Sequence, residues 1–76
     1  MRARVTVTLK EGVLDPQGKA IAHGLQSLGH EDVASVRVGK VFEVELTGEA
    51  TAERLERMCE ELLANTVIED YRVELL

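Results

Sequence analysis

A thiol, two imidazoles and a surplus of carboxylates are the groups in this chain that could carry chemistry. Cys59 is the only cysteine, which excludes an intrachain disulfide and a multi-cysteine zinc site. Its spacing puts it on the apolar face of a helix, away from a helix N-terminus or a basic neighbour, so a buried, protonated, inert thiol is expected. His23 and His30 stand seven residues apart, one on a helix and one in a loop. Neither has the i, i+4 or short-loop partner that a metal site or a general base needs. Glu43 and Glu45 project from one side of a strand and repel unless a cation lies opposite. They read as a solvated face, with a docking role as the alternative. The run Asp15-Pro16-Gln17-Gly18-Lys19 superficially resembles a phosphate loop but has the spacing of neither nucleotide fingerprint. Asp15 itself would present negative charge to the helix N-terminus, so capping is the reading. No catalytic, cofactor-binding or metal-binding set emerges from these residues.

The elements that position these groups are legible from periodicity. Ala3, Val5, Val7 and Leu9 alternate with Arg4, Thr6 and Thr8, which predicts a half-buried strand over residues 2–9. Asp15-Pro16 opens a helix and Gly29 closes it, with Ile21, Leu25 and Leu28 as one apolar stripe. Gly18 and Gly24 inside that helix each cost roughly 1 kcal/mol relative to alanine, which predicts close approach of another backbone at one of them. Ala34, Val36, Val38, Phe42, Val44 and Leu46 share one parity across Gly39-Lys40. A two-residue hairpin at that point would scramble the faces. A three-residue loop, or one long strand bent near Gly39, keeps the apolar groups together, and parity fits both. Residues 49–64 form the strongest predicted helix, with Ala52, Leu55, Cys59 and Leu62 as its stripe and Asn65 as a left-handed stop. Tyr71, Val73 and Leu75 then alternate in a last strand.

This β-α-β-β-α-β order, with the middle strands either paired or fused, predicts an α+β domain of ferredoxin-like type over residues 1–76. An antiparallel sheet with two helices on one face is the expected architecture. The 14 acidic and nine basic residues give a net charge of −5, which opposes the phosphate backbone of nucleic acid and anionic lipid alike. Neither nucleic acid nor a membrane is an expected partner. Arg2 and Arg4 lead into alternating Thr and Val, not into the apolar block of a secretion signal, so a cytosolic chain is expected. With 76 residues the core is marginal, which favours a partner in an assembly over a solitary enzyme.

Three blocks carry a family resemblance: Leu14-Asp15-Pro16-Gln17-Gly18-Lys19-Ala20-Ile21, Val36-Arg37-Val38-Gly39-Lys40, and Leu63-Ala64-Asn65-Thr66-Val67-Ile68-Glu69-Asp70-Tyr71. Together they resemble the PurS family, small subunits of phosphoribosylformylglycinamidine (FGAM) synthase in purine biosynthesis, and the likeness runs from the first strand to the last. Thr66 departs from the proline usual in that family, which leaves the helix stop to Asn65 itself. The resemblance implies a non-catalytic scaffold subunit without a cofactor of its own. In such a complex a synthetase subunit uses ATP and Mg, a glutaminase subunit releases ammonia from glutamine, and the small subunit bridges the two. It also implies self-association to a dimer or tetramer. The motif positions Asp15, Pro16, Gln17, Gly18, Gly39, Lys40, Asn65, Val67, Ile68, Glu69, Asp70 and Tyr71 are the implied assembly surface. The same order of elements, with a loop between first strand and first helix at Glu11-Gly12-Val13-Leu14, also suits a small-molecule-sensing module of the ACT type, which would bind a free ligand as an isolated oligomer.

Overall fold

The alternation in residues 2–9 does make a strand, β1 (Arg2–Leu9), and it becomes the centre of the sheet. A computed structural model describes all 76 residues and shows β1 flanked by two antiparallel neighbours, β2 (Gly39–Glu45) and β3 (Glu69–Leu75). Register sets the core: Val5 lies between Phe42 and Val73, and Ala3 between Val44 and Leu75. Ala3, Val5 and Val7 are almost fully buried beneath α2 (Ala52–Met58), which supplies Leu55 and, just beyond it, Cys59. Thr51 caps α2 through its side-chain oxygen, which accepts from the Arg54 N–H at 3.2 Å.

On the opposite, open face Glu43 meets Arg2 at 3.2 Å and Arg4 at 3.9 Å. The cation that Glu43 needs therefore comes from the chain's own central strand. These pairs are exposed, so each contributes at most about 1 kcal/mol.

The α+β class and the antiparallel sheet are as expected; four details depart from the expected layout. Residues 33–38 join no ladder, so β2 starts at Gly39 and the sheet has three strands. That segment instead runs back along α1 (Pro16–Ser27), where the Gln26 side-chain amide donates to the Val33 carbonyl at 2.8 Å. Secondly, α1 makes no extensive contact with any strand or with α2, so only one helix covers the sheet. The stripe read as a core face is largely open at its ends: Leu28 is 79% exposed and Ile21 41%, with Leu14 beside the helix at 71%, while Leu25 between them is partly covered. Thirdly, α2 widens into a π turn over Cys59–Leu63, closed by the Ala64 N–H on the Cys59 carbonyl at 3.0 Å. The extra residue in that turn carries Leu62 into solvent and puts Leu63 and Ala64 against the core in its place. Lastly, Asn65 does not adopt a left-handed conformation, since only Gly12 and Gly29 have positive φ. It stops the helix through its side chain, whose oxygen accepts from the Val67 N–H at 3.2 Å.

The outcome is an elongated molecule: a covered sheet and an arm made of α1 and residues 30–38. The Cα radius of gyration is 15.6 Å, against about 11 Å for a compact chain of this length. No helix is long and apolar enough to cross a membrane.

Candidate functional site

The three sequence blocks, far apart in the chain, meet where the arm joins the sheet. Asp15 does what its position before Pro16 predicts: one carboxylate oxygen accepts from the Gly18 N–H at 2.8 Å and caps α1. Its other oxygen accepts from the Val38 N–H at 2.9 Å, so the first block is tied to the second. The Val38 and Gly18 N–H groups, aided by the Arg37 charge, hold the Asp15 carboxyl below its ordinary value against the opposing effect of desolvation. Gly18 is the close-approach glycine: a Cβ there would collide with the Val36 carbonyl, whereas Gly24 faces open space. Gly39 likewise leaves no room, since a Cβ would lie 2.8 Å from the Val7 carbonyl oxygen.

The third block joins through Glu69. Its half-buried carboxylate accepts from the Asn65 N–H at 2.7 Å and faces the Lys40 ammonium at 3.6 Å. Beside it Lys10 pairs with Asp70 at 2.7 Å, and the Lys10 N–H donates to the Ile68 carbonyl at 2.8 Å. Arg37 donates to the Leu9 and Lys10 carbonyls at 2.6 and 3.1 Å. A shallow hollow results, lined by Leu9, Asp15, Gln17, Gly39, Lys40 and Glu69 among others. Sequence reasoning named most of this set but missed Lys10 and singled out neither Arg37 nor the clasp made by Glu69. A lone Arg beside Gly39 signals nothing until the end of β1 is seen to lie next to it.

Not every motif residue enters the hollow. Pro16 is exposed at the head of α1, and Val67 and Ile68 are 82% and 39% exposed at the turn into β3. Tyr71 faces α2, where its hydroxyl donates to Glu60 at 3.0 Å. That bond, followed by desolvation and the Glu60 charge, raises the phenol above its ordinary value. Burial, with the charges of Glu60 and Glu56, pushes the Cys59 thiol up as well. A raised thiol is a poor nucleophile. His23 and His30 are exposed, one on α1 and one in the loop after it. No three His, Cys, Asp or Glu side chains converge as a metal would require.

The charged groups at the junction thus engage the chain's own backbone and one another, and the arrangement fixes geometry. It defines a small α+β domain in which residues of these motifs join an arm to the end of a sheet. The family described as PurS, phosphoribosylformylglycinamidine (FGAM) synthase, matches residues 2–76, and the chain belongs to it. A PurS subunit from Synechocystis is 52% identical over 75 residues, covering 95% of this chain and 75% of the relative. The solved structure of Bacillus subtilis PurS superposes with a TM-score of 0.85 at 49% identity, covering 96% of this chain and 94% of that one. A chain in the structure of PurLQS from Thermotoga maritima gives a TM-score of 0.85 at 32% identity, covering 99% and 95%.

Proposed function

We propose that this chain is the small, non-catalytic subunit of an FGAM synthase complex in the cytoplasm, with residues 1–76 acting as one domain. It bridges an ATP-dependent synthetase subunit and a glutaminase subunit, and it supports transfer of ammonia from glutamine to formylglycinamide ribonucleotide. ATP and Mg belong to the synthetase subunit. The carrying observation is the likeness over 99% of the chain to a component of PurLQS. Cys59, buried with its pKa raised, is a poor nucleophile, which agrees with a structural task. The chemistry explains why a bridge is needed: ammonia released into neutral water is protonated to ammonium, which is not a nucleophile, so the two sites must communicate through an enclosed passage.

Self-association belongs to the same proposal. The chain exposes 5614 Å², about 1,000 Å² more than a compact monomer of its size. That excess is comparable to the roughly 800 Å² per partner in a standard interface. The open stripe of α1 and the free outer edge of β2 are the surfaces a second copy would cover, the edge by strand addition. Of the family-motif positions, Asp15 and Gly18 then support that surface by holding the arm in place.

Reconstitution tests the role. The chain is mixed with the synthetase and glutaminase subunits, and turnover is measured with glutamine and with ammonium salts. Omission of this chain is expected to abolish glutamine-dependent turnover and to leave most ammonia-dependent turnover. Equal glutamine-dependent rates with and without it refute the bridging role.

A further inference from the structure

The arm poses a mechanical problem. Since α1 makes no extensive contact with any strand or with α2, its direction is not fixed by a helix-sheet interface. Two chain crossings connect it to the sheet, one after Leu9 and one before Gly39. A lever on two such crossings would pivot, and its orientation would have to be fixed anew each time a partner bound.

Two side chains sit at those crossings. The Asp15 carboxylate forks, holding the first turn of α1 through Gly18 and the last residue before β2 through Val38. Arg37, adjacent to Val38, reaches the other crossing and donates to the carbonyls of Leu9 and Lys10. Between them, the bare backbone of Gly18 lets the Val36 carbonyl approach the helix. At the far end of the arm, Gln26 joins helix to extended segment but not to the sheet. At the root, Asp15 thus ties the two limbs of the arm together, and Arg37 ties them to the end of β1.

We infer that Asp15 and Arg37 form a latch that fixes the direction in which the arm leaves the sheet, so that the arm is presented as a preorganised lever. Asp15 is a positioning residue whose essential property is two acceptor oxygens, and capping α1 is only half of its role. Hydrogen bonds to an ionised acceptor are about twice as strong as neutral ones, which suits a carboxylate to this post. The inference concerns the chain alone and stands whether or not the proposed place in FGAM synthase is right.

Asp15→Ser separates the two roles. Serine is a good helix cap, but its single short hydroxyl cannot hold Gly18 and Val38 together. Amide exchange by NMR on the isolated chain is expected to show the Val38 N–H exchanging roughly tenfold faster, as loss of one charge-assisted bond implies, with β1, β3 and α2 amides unchanged. Spin labels at Ser27→Cys and Arg72→Cys, on chains diluted with unlabelled protein, report the direction of the arm; Cys59 is buried and stays unlabelled. Their distance distribution should broaden in Asp15→Ser and in Arg37→Gln. Unchanged Val38 exchange together with an unchanged distribution overturns the latch and leaves Asp15 as a cap. A uniform rise in exchange across the sheet also overturns it, because the residue would then be supporting the whole fold.

Discussion

Leu28→Ala separates folding from assembly most sharply. Leu28 ends the stripe of α1 and is 79% exposed in the chain, so its side chain adds little to the stability of the monomer. Truncation to alanine removes three carbons, each worth about 0.8 kcal/mol when buried. Scaled by the surface still open at Leu28, covering by a second copy is worth roughly 2 kcal/mol, or about 30-fold in affinity. A two-fold dimer contains the position twice, so the dissociation constant should rise about 1,000-fold. Sedimentation equilibrium over a wide concentration range measures this directly. Urea unfolding at concentrations below dissociation should meanwhile stay within about 0.5 kcal/mol of the parent. A dissociation constant within about threefold of the parent value would show that the stripe is not the covered surface. A large loss of monomer stability would show that α1 packs within its own chain.

Leu55→Ala should behave in the opposite way. Leu55 is fully buried under the sheet, and its loss should cost about 2–5 kcal/mol in urea unfolding, a large part of the roughly 4–11 kcal/mol available to a chain of this size. Gly18→Ala should loosen α1, because the new Cβ meets the Val36 carbonyl, while Gly24→Ala, facing open space, should raise the protection of α1 amides by up to about 1 kcal/mol. At alkaline pH the raised pKa values of Cys59 and Tyr71 make the unfolded chain the one that loses protons first. Their contribution is therefore complete below about pH 9 and is lost as pH rises through the folded-state values. Cys59→Ala should flatten the thiol's part of that decline in pH-dependent urea melts.

What the sequence made legible was local. The alternation of β1, the cap at Asp15, the stop at Gly29 and a crowded glycine at position 18 each depend on a few neighbouring residues. The path of residues 33–38 depends on a choice between distant partners. Their apolar parity suits a strand beside β2 and also an extended chain lying along α1, so periodicity could not decide. The π turn at Cys59 was hidden for a related reason: Leu62 and Leu63 are chemically alike, and only the core shows which one the wider turn buries. At the junction, Asp15 was found by its cap signal, but its second bond to Val38 and the reach of Arg37 to Leu9 needed the tertiary structure.

The misplaced helix has a more general cause. An amphipathic period measures a need for cover and does not state where the cover comes from. For Leu55 and Cys59 it comes from β1 in the same chain, so substitution there is read out in folding. For Leu28 the chain supplies almost none and for Ile21 only part, and the elongated shape and surplus surface show the same deficit from outside. A chain with only nine buried residues leaves that stripe open and still positions it, through Asp15, Arg37 and Gly18 at the root of the arm. Holding an uncovered apolar face in a fixed direction is of no use to a monomer. It lowers the ordering cost of association, which is why the residues at the junction bear on assembly even though none of them has to touch the partner.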